Sequence, residues 1–422
     1  MTGGVFLAHG LGGRSDLPVP LWLALYAGAA AVLISFFALT ALWKTPRLQG
    51  DQAGRPLPAF VERFADSAAT RATLRVLGVV AAAVVLVTAW SGGDSGENPA
   101  PAWFYAWFWV GLVAVSLVLG PVWRLVNPAR TIAAAVCLAV PALRGTRPLP
   151  DRLGYRAATT GLLAFLWLEL VFPHSDAPLA VAVFLTAYLL AQVAGGVRYG
   201  PSWFDRGDAF EVYFGLVAAL APVGRRADGR LVLRSPLDGL LTLDRAAGLT
   251  PFILVVLGAT AFDGLTRLPL WTDNTRELGA VTAVLTGTAG LALAIALLAG
   301  AYAGAVRLTR PFLRKGTEPY RAFAHSLVPI MVGYTIAHYF SFAVFEGQQG
   351  LLLTVDYTVL SPAVIAAVQI AGIVLGHVIG VVSAHDRALV VLRAHYEKAG
   401  QYPVLALMVG YTAIGIYLVS GA

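Results

Sequence analysis

The chain has 422 residues, 58% of them hydrophobic and only 13% charged, about half the charged share of an ordinary soluble domain, and its mean hydropathy is +0.72. That much apolar surface cannot be hidden in water, which excludes a soluble enzyme and a disordered chain; the single cysteine, Cys137, excludes a disulfide scaffold. The formal charge of +7 comes from basic residues set between apolar segments, so the surroundings it calls for are a lipid bilayer and no nucleic acid.

A helix needs about 20 mostly apolar residues to cross the hydrocarbon layer. In chain order, ten segments qualify: roughly 18–43, 73–91, 102–123, 155–172, 177–197, 248–268, 278–304, 322–346, 362–384 and 403–420. The expected fold is an all-α polytopic bundle: a tail over 1–17 and a single transmembrane domain over 18–422. The tail lacks the basic and long apolar regions of a cleavable signal, so the first span reads as an uncleaved anchor. Of the 30 lysines and arginines, all but Arg14, Arg267 and Arg276 fall in alternate connections. The positive-inside rule then puts both termini outside and the basic loops in the cytoplasm. The expected location is a bacterial plasma membrane.

Two apolar stretches are too short to cross, near 128–142 and 209–222. Were the second to cross, Arg225, Arg226, Arg230, Arg234 and Arg245 would lie outside, so it reads as a helix on, or dipping into, the cytoplasmic leaflet. The two stretches echo each other. Asn127 can cap the first helix, with Pro128 at its first position. Asp208 with Glu211 resembles a capping box at the second. Each follows an inward span and precedes an outward one. Two readings stand: amphipathic connectors parked at the interface, or a duplicated span, half-helix, span unit of the kind transporters use. In the loop 223–247, Asp228-Gly229 marks a turn beside a short strand at Leu231 to Leu233, a candidate hairpin.

Ionisable groups at membrane depth are costly and mark candidate sites. By span direction and helical rise, His9, Glu169, His174, Asp176, Asp263 and His338 can all meet at the outer face. Imidazoles with carboxylates suit a zinc-like divalent ion, which could activate a water. In that arrangement His338, His174, Asp263 and His9 bind the ion and Glu169 is the general base. Tyr334, His338 and Ser341 share one face of the eighth span. His325 and His377 lie at similar inner depths on neighbouring spans and could clamp a b-type haem; ordinary interfacial hydrogen bonding explains them equally. His385 and His395 read as solvated residues of a cytoplasmic loop. Gly372, Gly376 and Gly380 form a small-residue face for close helix packing. No phosphate-cradling glycine loop and no nucleophile elbow is present.

Several stretches carry a family resemblance: His9-Gly-Leu-Gly-Gly-Arg-Ser-Asp-Leu-Pro-Val-Pro20, Trp123-Arg-Leu-Val-Asn-Pro128, His325-Ser-Leu-Val-Pro-Ile-Met-Val-Gly-Tyr-Thr-Ile-Ala-His338-Tyr, and Gly376-His377 followed by Ala384-His385-Asp386-Arg-Ala-Leu389. Together they resemble bacterial integral membrane proteins commonly labelled fenitrothion hydrolase. The resemblance implies membrane-bound hydrolysis of a phosphotriester, a small-molecule substrate. The alternatives are a transporter or channel with re-entrant helices and an intramembrane His/Asp relay, and a haem redox subunit or assembly partner of a membrane complex.

Overall fold

The structure is a computed structural model that describes residues 20–93, 98–145 and 148–420. The chain opens with α1 (Leu21–Leu42), then a loop with β1 (Arg55–Pro56) and the amphipathic α2 (Ala59–Asp66). Ser67 caps α3 (Ala68–Ser91) through its hydroxyl. Next, α4 (Ala100–Ala102) passes through a π-helical stretch, Trp103–Gly111, into α5 (Leu112–Leu119). Two shorter helices follow, α6 (Val122–Val126) and α7 (Pro128–Ala139), before α8 (Arg156–Leu170). The pattern recurs with α9 (Pro178–Tyr199), α10 (Pro201–Arg206) and α11 (Ala209–Ala218). Strands β2 (Val223–Arg225) and β3 (Leu231–Leu233) and helix α12 (Pro236–Leu241) lead to α13 (Leu249–Thr266). The chain finishes with α14 (Pro269–Thr275), α15 (Ala280–Thr309), α16 (Pro319–Ala322), α17 (Leu327–Gln349), α18 (Pro362–Val391) and α19 (Tyr402–Ser420).

Among the described residues, nine helical segments are long and apolar enough to cross a membrane. They match nine of the ten expected spans. The tenth, expected over 155–172, is α8, with 15 residues and a length of about 22 Å. It is short because it stands inside the bundle, packed on α11 and α13.

Segments expected on one side of the membrane are tied together. Asp51 O accepts from Ala227 N at 2.8 Å, Phe312 O from Arg393 N at 2.9 Å, and Val197 O from Gly145 N at 2.8 Å. The expected hairpin forms: β2 and β3 pair antiparallel, and β1 completes the order β1-β3-β2. At the opposite end, Trp103 Nε1 donates to Gly350 O at 2.7 Å and Tyr105 Oη to Ser175 O at 2.9 Å.

The reading of the second short helix as an interfacial connector is corrected. Nine of the ten residues of α11 are buried, and the helix packs against α5, α8 and α17. It is a half-helix inside the bundle. By contrast, α7 buries only Pro128, Ala129 and Ala133 and lies against α9 and α3.

The echo is also longer than the caps suggested. Gly120-Pro121-Val-Trp123 and Gly200-Pro201-Ser-Trp203 each end a long helix and reverse the chain. The two glycines share one conformation, φ 86° ψ −150° and φ 70° ψ −158°, a region open to glycine. Each unit's half-helix packs against the long helix of the other unit, α7 on α9 and α11 on α5. Equivalent positions then meet. Asn127 touches Asp208, and Arg130 touches Glu211. Further along, Tyr155 N donates to Ala247 O at 2.8 Å, beside Gly154 and Gly248, both of positive φ. Such paired contacts are those that two related units meeting face to face would make.

The glycine face packs as expected. A Cβ at Gly376 would stand 2.7 Å from Pro329 O, and one at Gly372 2.8 Å from Gly333 O, so α17 and α18 are in backbone contact. One solvated histidine is corrected. His385 belongs to α18, which runs to Val391, and it is 2% exposed. Its nitrogens reach Gln401 Oε1 and Trp43 O, each at 2.9 Å, fastening α18 to the chain after α1 and to the start of α19. His395 is exposed, as expected.

Candidate functional site

Two polar layers are buried in the bundle, separated by aromatic rings. The first is the half-helix crossing. Asp208 caps α11 by accepting from Phe210 N at 3.0 Å and Glu211 N at 3.2 Å. Asn127 caps α7 through Arg130 N at 3.2 Å. The Asn127 amide also donates to Asp208 Oδ2 at 2.9 Å and Glu211 Oε2 at 2.8 Å. Tyr188 donates to Asp208 Oδ1 at 2.6 Å. Glu211 does not close a capping box; its carboxylate forms a two-point pair with Arg130. Arg130 in turn holds Asp205 at 3.0 Å, which also takes Arg124 at 3.2 Å. The positive ends of both half-helices therefore face carboxylates. A cavity of about 180 Å³ reaches this layer, lined by Arg124, Tyr155, Asp205, Glu211 and Asp244 among others.

Above it, Phe104, Trp109, Phe165, Phe210 and Tyr213 form a dry aromatic layer. Trp109 stacks on Tyr213 at 4.4 Å and meets Phe165 at 4.6 Å. The sequence Trp103-Phe-Tyr-Ala-Trp-Phe-Trp109 supplies two of these rings, Phe104 and Trp109, from one wide π-helical region, a geometry often kept at working sites. The Tyr213 hydroxyl lies 3.3 Å from Thr335 Oγ1, which links the half-helix to α17.

The second polar layer is the outer cluster. His338 on α17 and Asp263 on α13 meet, Nε2 to Oδ2, at 2.5 Å. Arg267, one turn beyond Asp263, brings Nη2 to 2.9 Å from the same His338 nitrogen and 3.5 Å from Asp263 Oδ1. The Tyr334 and Tyr339 rings flank the imidazole, at 6.1 and 4.8 Å. Glu169, in the last turn of α8, lies near Tyr339 and within Coulombic reach of Asp263. Glu169 and Asp263 stand at the same distance along the chain from Gly154 and Gly248. Glu169 is 4% exposed, Asp263 5% and His338 2%. Among the described residues, Glu169 Oε2, His338 Nδ1 and the Tyr334 hydroxyl have no hydrogen-bond partner.

This geometry has a chemical consequence. A guanidinium only donates and a carboxylate only accepts. His338 Nε2 can give a proton to Asp263 or accept from Arg267, but one nitrogen cannot do both. The position of a single proton therefore sets which neighbour His338 serves.

Of the expected metal ligands, the structure brings His338 and Asp263 together. His174 is exposed in the loop that Tyr105 holds through Ser175, and His9 and Asp16 lie outside the described residues. Among the described residues, no three His, Cys, Asp or Glu side chains stand close enough to hold a metal ion. Arg267 fills the space at His338 Nε2 where a cation would sit. The described residues do not fit a divalent-metal centre. Nor do His325 and His377 fit a haem, because α17 and α18 touch through backbone at Gly372 and Gly376 and leave no slot between them for a macrocycle. His377 instead donates locally, from Nδ1 to Ile373 O at 2.8 Å.

Sequence reasoning missed Arg267, Tyr339 and Arg130. The spacing of Asp263 and Arg267, one helical turn apart, was the available signal for the first. Fold and sites together define a multi-pass α-helical membrane protein. No family profile matches the chain, and no match is found among curated proteins or solved structures.

Proposed function

We propose that the protein is a proton-translocating transporter built from two related units, with Glu169, Asp263 and His338 as its proton-carrying groups. The observation that carries this reading is the placement of Glu169 and Asp263. Glu169 lies within Coulombic reach of Asp263, and Asp263 meets the His338 imidazole, in a buried layer that leaves acceptor and donor sites open. Beneath it stand an aromatic barrier and a pair of half-helix termini, the arrangement transporters use at midplane. Protons would enter at His338 and Asp263, pass to Glu169 and Tyr339, and cross the barrier by way of Tyr213 and Thr335. The test is reconstitution into vesicles loaded with a pH-sensitive dye, with a potassium-diffusion potential imposed across them. Expected is proton entry above that of protein-free vesicles, lost in Glu169→Gln and in His338→Gln. Wild-type vesicles that move no protons under either polarity would overturn the reading.

A second reading is the hydrolase implied by the resemblance, with a small phosphotriester as substrate and Glu169 as general base. It is favoured by one observation: Asp263 holds His338 through Nε2 and leaves Nδ1 open, the relation of an orienting carboxylate to a basic imidazole. Triester hydrolysis by the purified protein, abolished in His338→Gln, would support it. Hydrolysis at the rate of detergent alone would end it.

A further inference from the structure

The basic side of the bundle holds a cluster that neither polar layer uses. Arg245, in the connection between α12 and α13, and Arg387, near the end of α18, lie within Coulombic reach of each other, and both are half-buried. Among the described residues neither forms an ion pair. Arg387 Nε is buried without a hydrogen-bond partner. Beside them is His325, 0% exposed and within reach of both arginine charges and of the Ser383 backbone. Neither of its ring nitrogens completes a hydrogen bond.

The nearby acid offsets the Arg387 charge only in part and forms no ion pair with it. Asp386 adjoins Arg387, but its Oδ1 is taken by Trp43 Nε1 at 3.0 Å and Arg47 N at 2.6 Å. Burial, and then the Arg387 charge, hold the Arg245 guanidinium below its usual range. It nevertheless stays protonated, as arginines in proteins do. Two like charges brought together under cover, with open donors around them, are the complement of an anion. The helix α17 begins at Leu327, two residues past His325, and turns its positive end to the same place.

We infer that Arg245, Arg387 and His325 form a binding site for a phosphate group at the basic end of α17 and α18. A phosphate offers oxygens enough for two guanidinium forks and an imidazole donor together. Two sources share that chemistry: the headgroup of an anionic lipid, which basic pockets between membrane helices take up, and free inorganic phosphate.

The test is native mass spectrometry and thermal unfolding of the full chain in two arms. In one, the protein is extracted from vesicles of phosphatidylglycerol and phosphatidylcholine. In the other, delipidated protein is titrated with inorganic phosphate. Expected is one retained phosphate-bearing species or a saturable rise in melting temperature. Arg245→Gln and Arg387→Gln should each weaken binding by about tenfold or more, and Arg307→Gln, an exposed arginine on α15, should leave it unchanged. Arg245→Lys and Arg387→Lys keep the charge and the fold but lose the fork, and should bind with intermediate strength. Retention of phosphatidylglycerol against excess phosphate identifies the lipid source; saturable binding of phosphate to delipidated protein identifies the free ion. Binding in neither arm, or binding that survives both the glutamine and the lysine substitutions, overturns the site.

Discussion

The half-helix crossing and the outer cluster are both buried and both built around carboxylates, yet they are finished differently. At the crossing each carboxylate is answered. Asp208 takes two backbone amides, an asparagine amide and a tyrosine hydroxyl, and Glu211 takes Arg130 and Asn127. In the outer cluster, Glu169 Oε2, His338 Nδ1 and the Tyr334 hydroxyl are left without partners among the described residues. A satisfied buried network rigidifies a fold, whereas an unsatisfied one costs stability and survives where something else requires it. The crossing is thus the scaffold that fixes α7 and α11, and the outer cluster is where groups remain available to exchange a proton.

That contrast can be broken most severely at the crossing. Arg130→Met leaves Glu211 buried without its cation and should cost about 3 kcal/mol or more, read by unfolding in detergent. Next in size is Gly376→Val. Its added atoms meet Pro329 O, and overpacking of this kind costs about 1–3 kcal/mol; Gly410→Ala, with open space around it, should be neutral in the same assay. Tyr188→Phe removes one of the hydrogen bonds to Asp208 and should cost about 1 kcal/mol. Glu169→Gln should hold or slightly raise the melting temperature, since an amide of the same shape replaces a buried carboxyl whose Oε2 has no partner among the described residues. An Arg130→Met variant as stable as wild type, or a Glu169→Gln variant that fails to fold, would reverse the two roles.

The smallest effect belongs outside both layers. The exposed Asp228 carboxyl is pulled down to about 2, first by its hydrogen bond to Arg226 and then by the Arg230 amide. A depressed carboxyl supports the hairpin above its unfolded value of about 3.9 and ceases to do so as pH falls toward 2. Hydrogen exchange of the 226–231 amides should accelerate over that window in wild type and show no such step in Asp228→Asn.

Much of this was legible in the sequence, for physical reasons. Apolar length and the sidedness of arginine are averages over many residues, so nine spans, the hairpin and the glycine seam follow from composition and period. Asn127 and Asp208 are legible as caps because capping is local. What was not legible is what each cap does next. A single helix carries no sign that Asn127 will reach across to Asp208 and Glu211, since that contact depends on two chain segments crossing. The apolar brevity of α11 looked like an interfacial connector for the same reason: burial on all sides is a property of its neighbours. The Gly-Pro-x-Trp reversal at Gly120 and Gly200 was the sequence signal that joined the two half-helices, and it lay just upstream of the caps. Among the candidate site residues, Glu169, Asp263 and His338 come together because depth along a span is computable from helical rise. Arg267 escaped because it was counted as a loop charge, although one turn of helix places it against Asp263.

The most direct measurement compares Glu169→Gln with Glu211→Gln in the same proton-flux assay, normalised to the amount of folded protein in the vesicles. The account predicts that Glu169→Gln folds and conducts no protons, while Glu211→Gln yields fewer folded molecules that conduct at the wild-type rate. Full flux through Glu169→Gln, with flux abolished in well-folded Glu211→Gln, would contradict it and move the working site to the half-helix crossing.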